Sequence, residues 1–485
     1  MSEPVAPPRE KPANLRKHVY LLLIVLATGS LGGRLLSLDS VDVYRLEDRL
    51  ERDLRRPFLS ANDRSRWCTV RSLVEQGTYA IDDIQSEEGW DTIDMVKHRD
   101  SSGTPHLYSS KPPLLSTIVA VPYFVIYHVS AWTPWPVTLG THPHLVGRML
   151  LFVFHIVPLV IYFLLMARII ERYGATDFGK LFTMAATTSA TLLTTFAVTF
   201  NNHLPAAVCV AVASYAGLRI WSDRERGLRF FAVAGFFAAL AAAFELPAFL
   251  FFGTLGLALL IKAPRQTLLA GVPAAALVLI ASMGTNYAAH GTLRPAYANR
   301  LKGEDFHKDN WEGMNWYNFT YMRNGREVES YWSNPQGIDV GEPRLGWYAF
   351  HSLLGHHGIF SLSPIWLIML VGLTRVAGRW GEELGPLATM TGVLSLLCFA
   401  FYMTPKADYN YGGASSGLRW MFWFTPLWLA TMLPGADWLG QKKWGRGVMY
   451  LCLALSVLSV TYPTWNPWTQ PWILDAIDWW NTEYE

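Results

Sequence analysis

Charge is scarce in this chain. Asp, Glu, Lys and Arg make up 16% of the 485 residues, against about 25% in soluble domains. Apolar residues take 51%, so much of the polypeptide is suited to lipid rather than water. Neither sign dominates: a formal net charge of +2 leaves no concentrated basic face, which excludes a nucleic-acid partner. Cysteine is rarer still, with 4 residues. Cys209, Cys398 and Cys452 stand in apolar runs and Cys68 alone in a polar one, which excludes a disulfide framework.

What is present is a series of long apolar runs parted by short polar joints. They fall at about 19–37, 146–167, 181–199, 204–221, 230–244, 246–262, 267–287, 359–374, 386–404, 420–435 and 447–463, most of them near the ~20 residues a spanning helix needs. The expected fold is an all-α polytopic membrane protein with about 11 transmembrane helices. A further run at 112–131 would, if it crossed, place Arg168, Arg172 and Lys180 outside and reverse the usual lysine and arginine bias. It is read instead as an interfacial or re-entrant helix. With that choice every basic joint shares one side, from Arg16 and Lys17 through Arg219 to Arg229, Lys262 and Arg265, Arg375 and Arg379, to Lys442 to Arg446. That side is cytoplasmic by the positive-inside rule.

The chain then divides into a cytoplasmic tail at 1–18, a first transmembrane helix at 19–37, a first extracytoplasmic loop at 38–111 and an interfacial segment at 112–145. A transmembrane bundle at 146–287, a second extracytoplasmic loop at 288–358, C-terminal transmembrane helices at 359–463 and a tryptophan-rich outer tail at 464–485 complete it. No small-residue cleavage site follows Leu36, so the first run reads as a retained anchor rather than a signal peptide.

Loops of this length in a membrane protein are usually functional. The first is charged, with Asp39, Asp42, Glu47, Asp48, Glu51 and Asp53, and its apolar residues recur at roughly helical spacing, which predicts amphipathic helices lying on the membrane. The second mixes aromatic and amide side chains, among them Trp311, Asn315, Trp316, Tyr317, Asn318, Tyr331 and Trp332. Such a mixture suits sugar binding, because aromatic faces pack on pyranose C–H groups while amides bond hydroxyls; it equally suits seating a loop on the bilayer.

The sharpest local pattern is Tyr108-Ser-Ser-Lys111-Pro-Pro-Leu-Leu115. Its prolines hold the chain extended ahead of a helix, and the lysine reads either as a snorkelling anchor or as a fixed charge for a lipid phosphate. Upstream, Asn62-Asp63-Arg64-Ser65-Arg66-Trp67 opens a capped helix, with Asp63 as cap or site carboxylate. A carboxylate soon after the first membrane helix, a helix ending Leu73-Val-Glu-Gln-Gly77, and then Lys-Pro-Pro-Leu resembles the polytopic GT-C glycosyltransferases, the group that includes protein O-mannosyltransferases and the lipid A aminoarabinose transferase. Gly147-Arg148, Phe200-Asn-Asn-His203, Phe360-Ser-Leu-Ser-Pro364 and Tyr409-Asn-Tyr-Gly-Gly-Ala-Ser-Ser-Gly-Leu-Arg419 extend the resemblance over most of the chain. Two departures stand out: the family more often has an aspartate near His203, and Arg64 replaces a second acid after Asp63.

The resemblance implies transfer of a sugar from a polyprenyl-phosphate donor to a lipid, glycan or protein acceptor on the outer face, with inversion. On it Asp63 matches the catalytic base, and Lys111, Arg148, His203 and Arg419 are the candidate phosphate ligands, since each begins or ends a helix on the outer face. Arg148 and Arg419 also suit interfacial anchoring, and His203 a helix cap. Glu245, a lone acid in Phe244-Glu-Leu-Pro247, is a further site candidate or a cap; Tyr108, Asn202 and Tyr411 complete the candidate set. No His, Asp or Glu pair stands at ligand spacing beside Asp63, His142 and His144 share a short joint, and His356-His357 lacks an evident partner. No obligatory metal is therefore expected, with Mg²⁺ or Mn²⁺ left open. A flippase or transporter would need mid-membrane ionisable groups and internal duplication, and an O-antigen ligase or polymerase-like enzyme lacks the long first loop leading into Lys-Pro-Pro. The expected location is a bacterial inner membrane with the site periplasmic, and Asn318-Phe-Thr320 has the form of a glycosylation acceptor.

Overall fold

The computed structural model describes residues 12–40, 56–224, 226–301, 315–323, 325–404 and 409–484. Asp42, Glu47, Asp48, Glu51, Asp53 and Trp311 lie outside them. Among the described residues, eight helices are long and apolar enough to cross a membrane by length and composition: Asn14–Leu36, Pro113–Ala131, Pro143–Tyr173, Asp177–Val198, His203–Trp221, Pro264–His290, Gly385–Tyr402 and Lys443–Thr461. Leu228–Phe244, Leu246–Lys262 and Ile365–Val376 are shorter apolar helices, and Thr425–Gly440 is a core helix whose residues are mostly buried. The chain is an all-α, membrane-embedded multi-pass protein.

Polar ties fix the two ends of the bundle. At one end, Arg16 bonds Glu171 and Asp177, and Asp437 accepts from Ala175 N at 2.8 Å and Thr176 N at 2.7 Å. At the opposite end Arg148 donates to the carbonyl of Leu38. The first helix and Pro143–Tyr173 therefore run antiparallel across the same thickness. Arg148 thus ties two helices together rather than facing a site.

The first loop is expected to form amphipathic helices where its charge is densest, a stretch that lies mostly outside the described residues. Its helix Ala61–Glu75 is buried along the whole stretch from Asn62 to Ser72, not laid on a surface. Polar residues can be enclosed there because the neighbouring chain satisfies them: Arg64 Nε donates to Asp91 O at 2.8 Å, Ser65 Oγ to Asp94 O at 2.6 Å, and Thr92 Oγ1 to Ala61 O at 2.7 Å. The loop also contains an antiparallel ribbon, Met95–Arg99 paired with Pro105–Ser109. Asp100 turns it, accepting from the backbone N–H groups of Ser102 and Thr104, both at 2.9 Å. A second ribbon pairs Thr320–Arg323 with Arg326–Glu329.

The run read as interfacial or re-entrant is one continuous helix, Pro113–Ala131. It lies along the first loop: Tyr79 Oη meets Thr117 Oγ1 at 2.9 Å, and Tyr123 Oη donates to Glu75 Oε1 at 2.6 Å. The chain leaving it folds back, with Leu139 N donating to Tyr123 Oη at 2.8 Å. It then starts the next helix beside Leu38, just past the C-terminal end of the first.

Candidate functional site

A cavity of about 1170 Å³ opens where both loops meet the helix ends. Its polar wall is assembled from groups far apart in sequence. Asn62 and Arg66, one helical turn apart on Ala61–Glu75, face it together. Lys111 projects from the turn after the first ribbon, and its Nζ lies 2.9 Å from Asp94 Oδ1. Ser65 and Ser110 hold the Asp94 carbonyl, so the carboxylate is presented by fixed backbone.

Behind this pair runs a chain of contacts joining three helix ends. Arg66 donates to Asn202 Oδ1. Asn202 Nδ2 donates to Glu245 Oε1 at 2.8 Å, and His203 Nδ1 also bonds Glu245. Arg419 Nη1 stands 2.7 Å from His203 Nε2. Arginine can only donate, so Nε2 accepts and the imidazole proton sits on Nδ1, donated to Glu245. The second Arg419 nitrogen donates to Gly412 O, and its guanidinium lies 5.0 Å over the ring of Trp468. Gly412 adopts φ +87°, and a Cβ there would come within 2.9 Å of Trp420, so the glycine pair of the late turn is a geometric requirement.

The enclosure sets the charges. Burial lowers the Lys111 ammonium to about 8 and the Arg66 guanidinium to about 10. Burial alone would raise the Asp94 carboxyl, but Lys111 holds it below the ordinary range. Asp339 also lines the cavity and accepts from Tyr331 Oη at 2.8 Å; burial raises its carboxyl. Arg300, with its guanidinium 4.7 Å over Trp332, joins Tyr317 and Tyr331 on the aromatic side.

The membrane side is apolar and open. Leu246, Phe249, Leu397 and Phe401 line the cavity, yet each is 41 to 52% exposed. From Leu250 and Leu397 a second cavity, of about 340 Å³, continues between the helices of Leu246–Lys262 and Gly385–Tyr402, walled by Leu255, Ala258, Leu259, Val393 and Leu394. From Leu250 to Leu259 the helical rise gives it a length of about 14 Å, roughly half a hydrocarbon core.

The structure brings Lys111, His203, Arg419, Glu245 and Asn202 together. Asp63 is not with them. Its carboxylate is wholly buried and accepts from Phe200 N at 3.0 Å and Leu59 N at 3.4 Å, and burial raises it to about 7. It docks the first-loop helix on the turn that begins the His203 helix, and it does not line the cavity. The carboxylate beside Lys111 is Asp94, which carries no motif or periodicity. Arg148 is at Leu38, as described. Tyr108 stacks on His98 at 4.0 Å beside a separate polar cavity, and Tyr411 bonds Glu342 at 2.9 Å behind the cavity wall. His356-His357 does have neighbours: Glu342 and His351 lie beside it. No family model matches the chain, and it has no match among curated proteins.

Proposed function

We propose that this chain is a GT-C-like membrane glycosyltransferase that moves a sugar from a polyprenyl-phosphate donor to an acceptor on the outer face of a bacterial inner membrane. One observation carries the reading: a cation-rich cavity opens directly into an apolar groove between two membrane helices. A ligand that fits both halves has an anionic head and a long hydrocarbon tail. Aromatic side chains and Arg300 on the far wall suit the sugar between head and acceptor. On this reading about eleven helices cross and Pro113–Ala131 lies in the outer interface, its lysine end at the cavity.

Chemically, the acceptor O–H or N–H attacks the anomeric carbon from the face opposite the phosphate. The carbon–phosphate-oxygen bond breaks, and its electron pair leaves with the polyprenyl phosphate. Lys111, Arg66 and Arg419 stabilise the charge that grows on that leaving group in a site screened from water. Asp94 takes the acceptor proton. When the donor phosphate draws Lys111 to itself, Asp94 loses the partner that lowers its pKa and becomes a stronger base. His203 already spends both ring nitrogens on Glu245 and Arg419, so it orients Arg419 rather than moving a proton.

Purified protein in liposomes, given radiolabelled polyprenyl-phosphate sugars and membrane acceptors, tests this. Label in a new product, lost in Asp94→Asn and Lys111→Ala, supports transfer. Label that crosses the bilayer with no new glycosidic bond supports a flippase and removes the proposal.

A further inference from the structure

We propose that Glu342, His351 and His356 form a binding site for a divalent transition metal of the zinc class on the outer face, behind the wall of the large cavity. One ligand atom from each of the three lies within 4.8 Å of the others. His356 Nε2 and Glu342 Oε1 are 3.7 Å apart, too far for a hydrogen bond. Two donors on one tetrahedral zinc at 2.0–2.2 Å lie about 3.3–3.6 Å apart, so the pair needs little adjustment to share an ion. The His351 and His356 rings stack with centroids 4.0 Å apart. Two imidazoles with one carboxylate favour zinc, nickel or copper over magnesium or calcium.

Three further features point to a ligand. His351 Nδ1 is buried without a hydrogen-bond partner, an unfavourable state for an imidazole nitrogen unless a cation takes its lone pair. His356 Nδ1 and His357 Nδ1 are 2.5 Å apart; His356 donating its proton there leaves Nε2, on the Glu342 side, as a lone pair, the arrangement that orients metal-binding histidines. Tyr411 Oη donates to Glu342 Oε1 at 2.9 Å and so fixes the carboxylate. The chain also folds to allow it. A Cβ at Gly355 would come within 2.2 Å of His351 Nδ1, so glycine is needed for the tight turn that brings His356 back over His351.

The site is tied to the cavity by covalent proximity. Glu342 N donates to Tyr409 O at 2.8 Å, and Tyr411 precedes Gly412, whose carbonyl holds Arg419. A bound ion would anchor the glycine turn from behind. The proposal does not rest on the glycosyltransferase reading, because its readout is metal content.

Full-length protein carrying a tag without histidine is stripped with a chelator, re-exposed to Zn²⁺, passed through a desalting column and analysed for metal, with Co²⁺ in parallel for its tetrahedral visible bands. Wild type retains about one ion per chain. His356→Ala and Glu342→Gln weaken binding by about 10–100-fold or more, while His142→Ala does not. Thermal unfolding and elution profile verify folding; if His356→Ala does not fold, His351→Gln, on a half-exposed residue, gives the same reading. Retention by wild type of under about a tenth of an ion per chain overturns the proposal, as does equal retention by the folded variants.

Discussion

Asparagine and alanine at position 63 separate a docking carboxylate from a catalytic one. In Asp63→Ala the N–H groups of Phe200 and Leu59 lose their acceptor inside the protein. An orphaned buried donor costs about 1–3 kcal/mol, and the 3.0 Å bond to Phe200 weighs more than the 3.4 Å bond to Leu59. Asp63→Asn keeps an oxygen for Phe200 and avoids most of that loss. The pH dependence adds a signature. Burial raises the folded carboxyl to about 7, whereas the unfolded chain releases that proton near 3.9. Between these values the folded state binds more protons, so its stability falls as pH rises, by up to about 1.4 kcal/mol per pH unit. Thermal unfolding in detergent from about pH 4 to pH 7 shows this decline in wild type and a flatter profile in Asp63→Asn. In the transfer assay Asp63→Asn keeps nearly wild-type activity, and Asp94→Asn loses about 10²- to 10⁴-fold. A well-folded, inactive Asp63→Asn beside an active Asp94→Asn would make Asp63, not Asp94, the catalytic carboxylate.

Further outcomes follow from the same geometry. The Lys111 ammonium is lowered to about 8 by burial, so its charge is lost as pH rises through that value; donor KM rises above about pH 8, and Lys111→Arg, charged throughout, flattens the rise. Leu397→Trp fills the junction of cavity and groove; it slows transfer from long-chain donors more than from short-chain ones in competition assays. Gly412→Ala meets Trp420 at 2.9 Å with φ at +87°. It costs about 1–3 kcal/mol in thermal unfolding and raises donor KM through Arg419.

Much of this was legible in the sequence because lipid imposes length and composition on each helix. Long apolar runs marked the membrane helices, and the basic joints gave one common side. The same reading put Lys111, His203, Glu245 and Arg419 at helix ends on one side, and these four line one cavity. Direction within a helix was not legible. One residue turns a side chain about 100° around the axis, so Asn62 and Arg66 face the cavity while Asp63 points to Phe200. Arg148 likewise opens the right helix but turns to Leu38. Asp94 was missed because its position depends on long-range bonds to Ser65 and Ser110, which leave no local pattern. The burial of Ala61–Glu75 had the same cause, since its polar residues find backbone partners some 30 positions away.

On the proposed function, one molecule with a phosphate at one end and a prenyl chain at the other occupies both the polar cavity and the groove below it. Electron cryomicroscopy of the protein in lipid nanodiscs with a non-hydrolysable polyprenyl-phosphate sugar tests this most directly. Phosphate density is expected among Lys111, Arg66 and Arg419, with the chain running past Leu250 and Leu397. Density for the head at any other site, or a tail that leaves the groove empty, contradicts it.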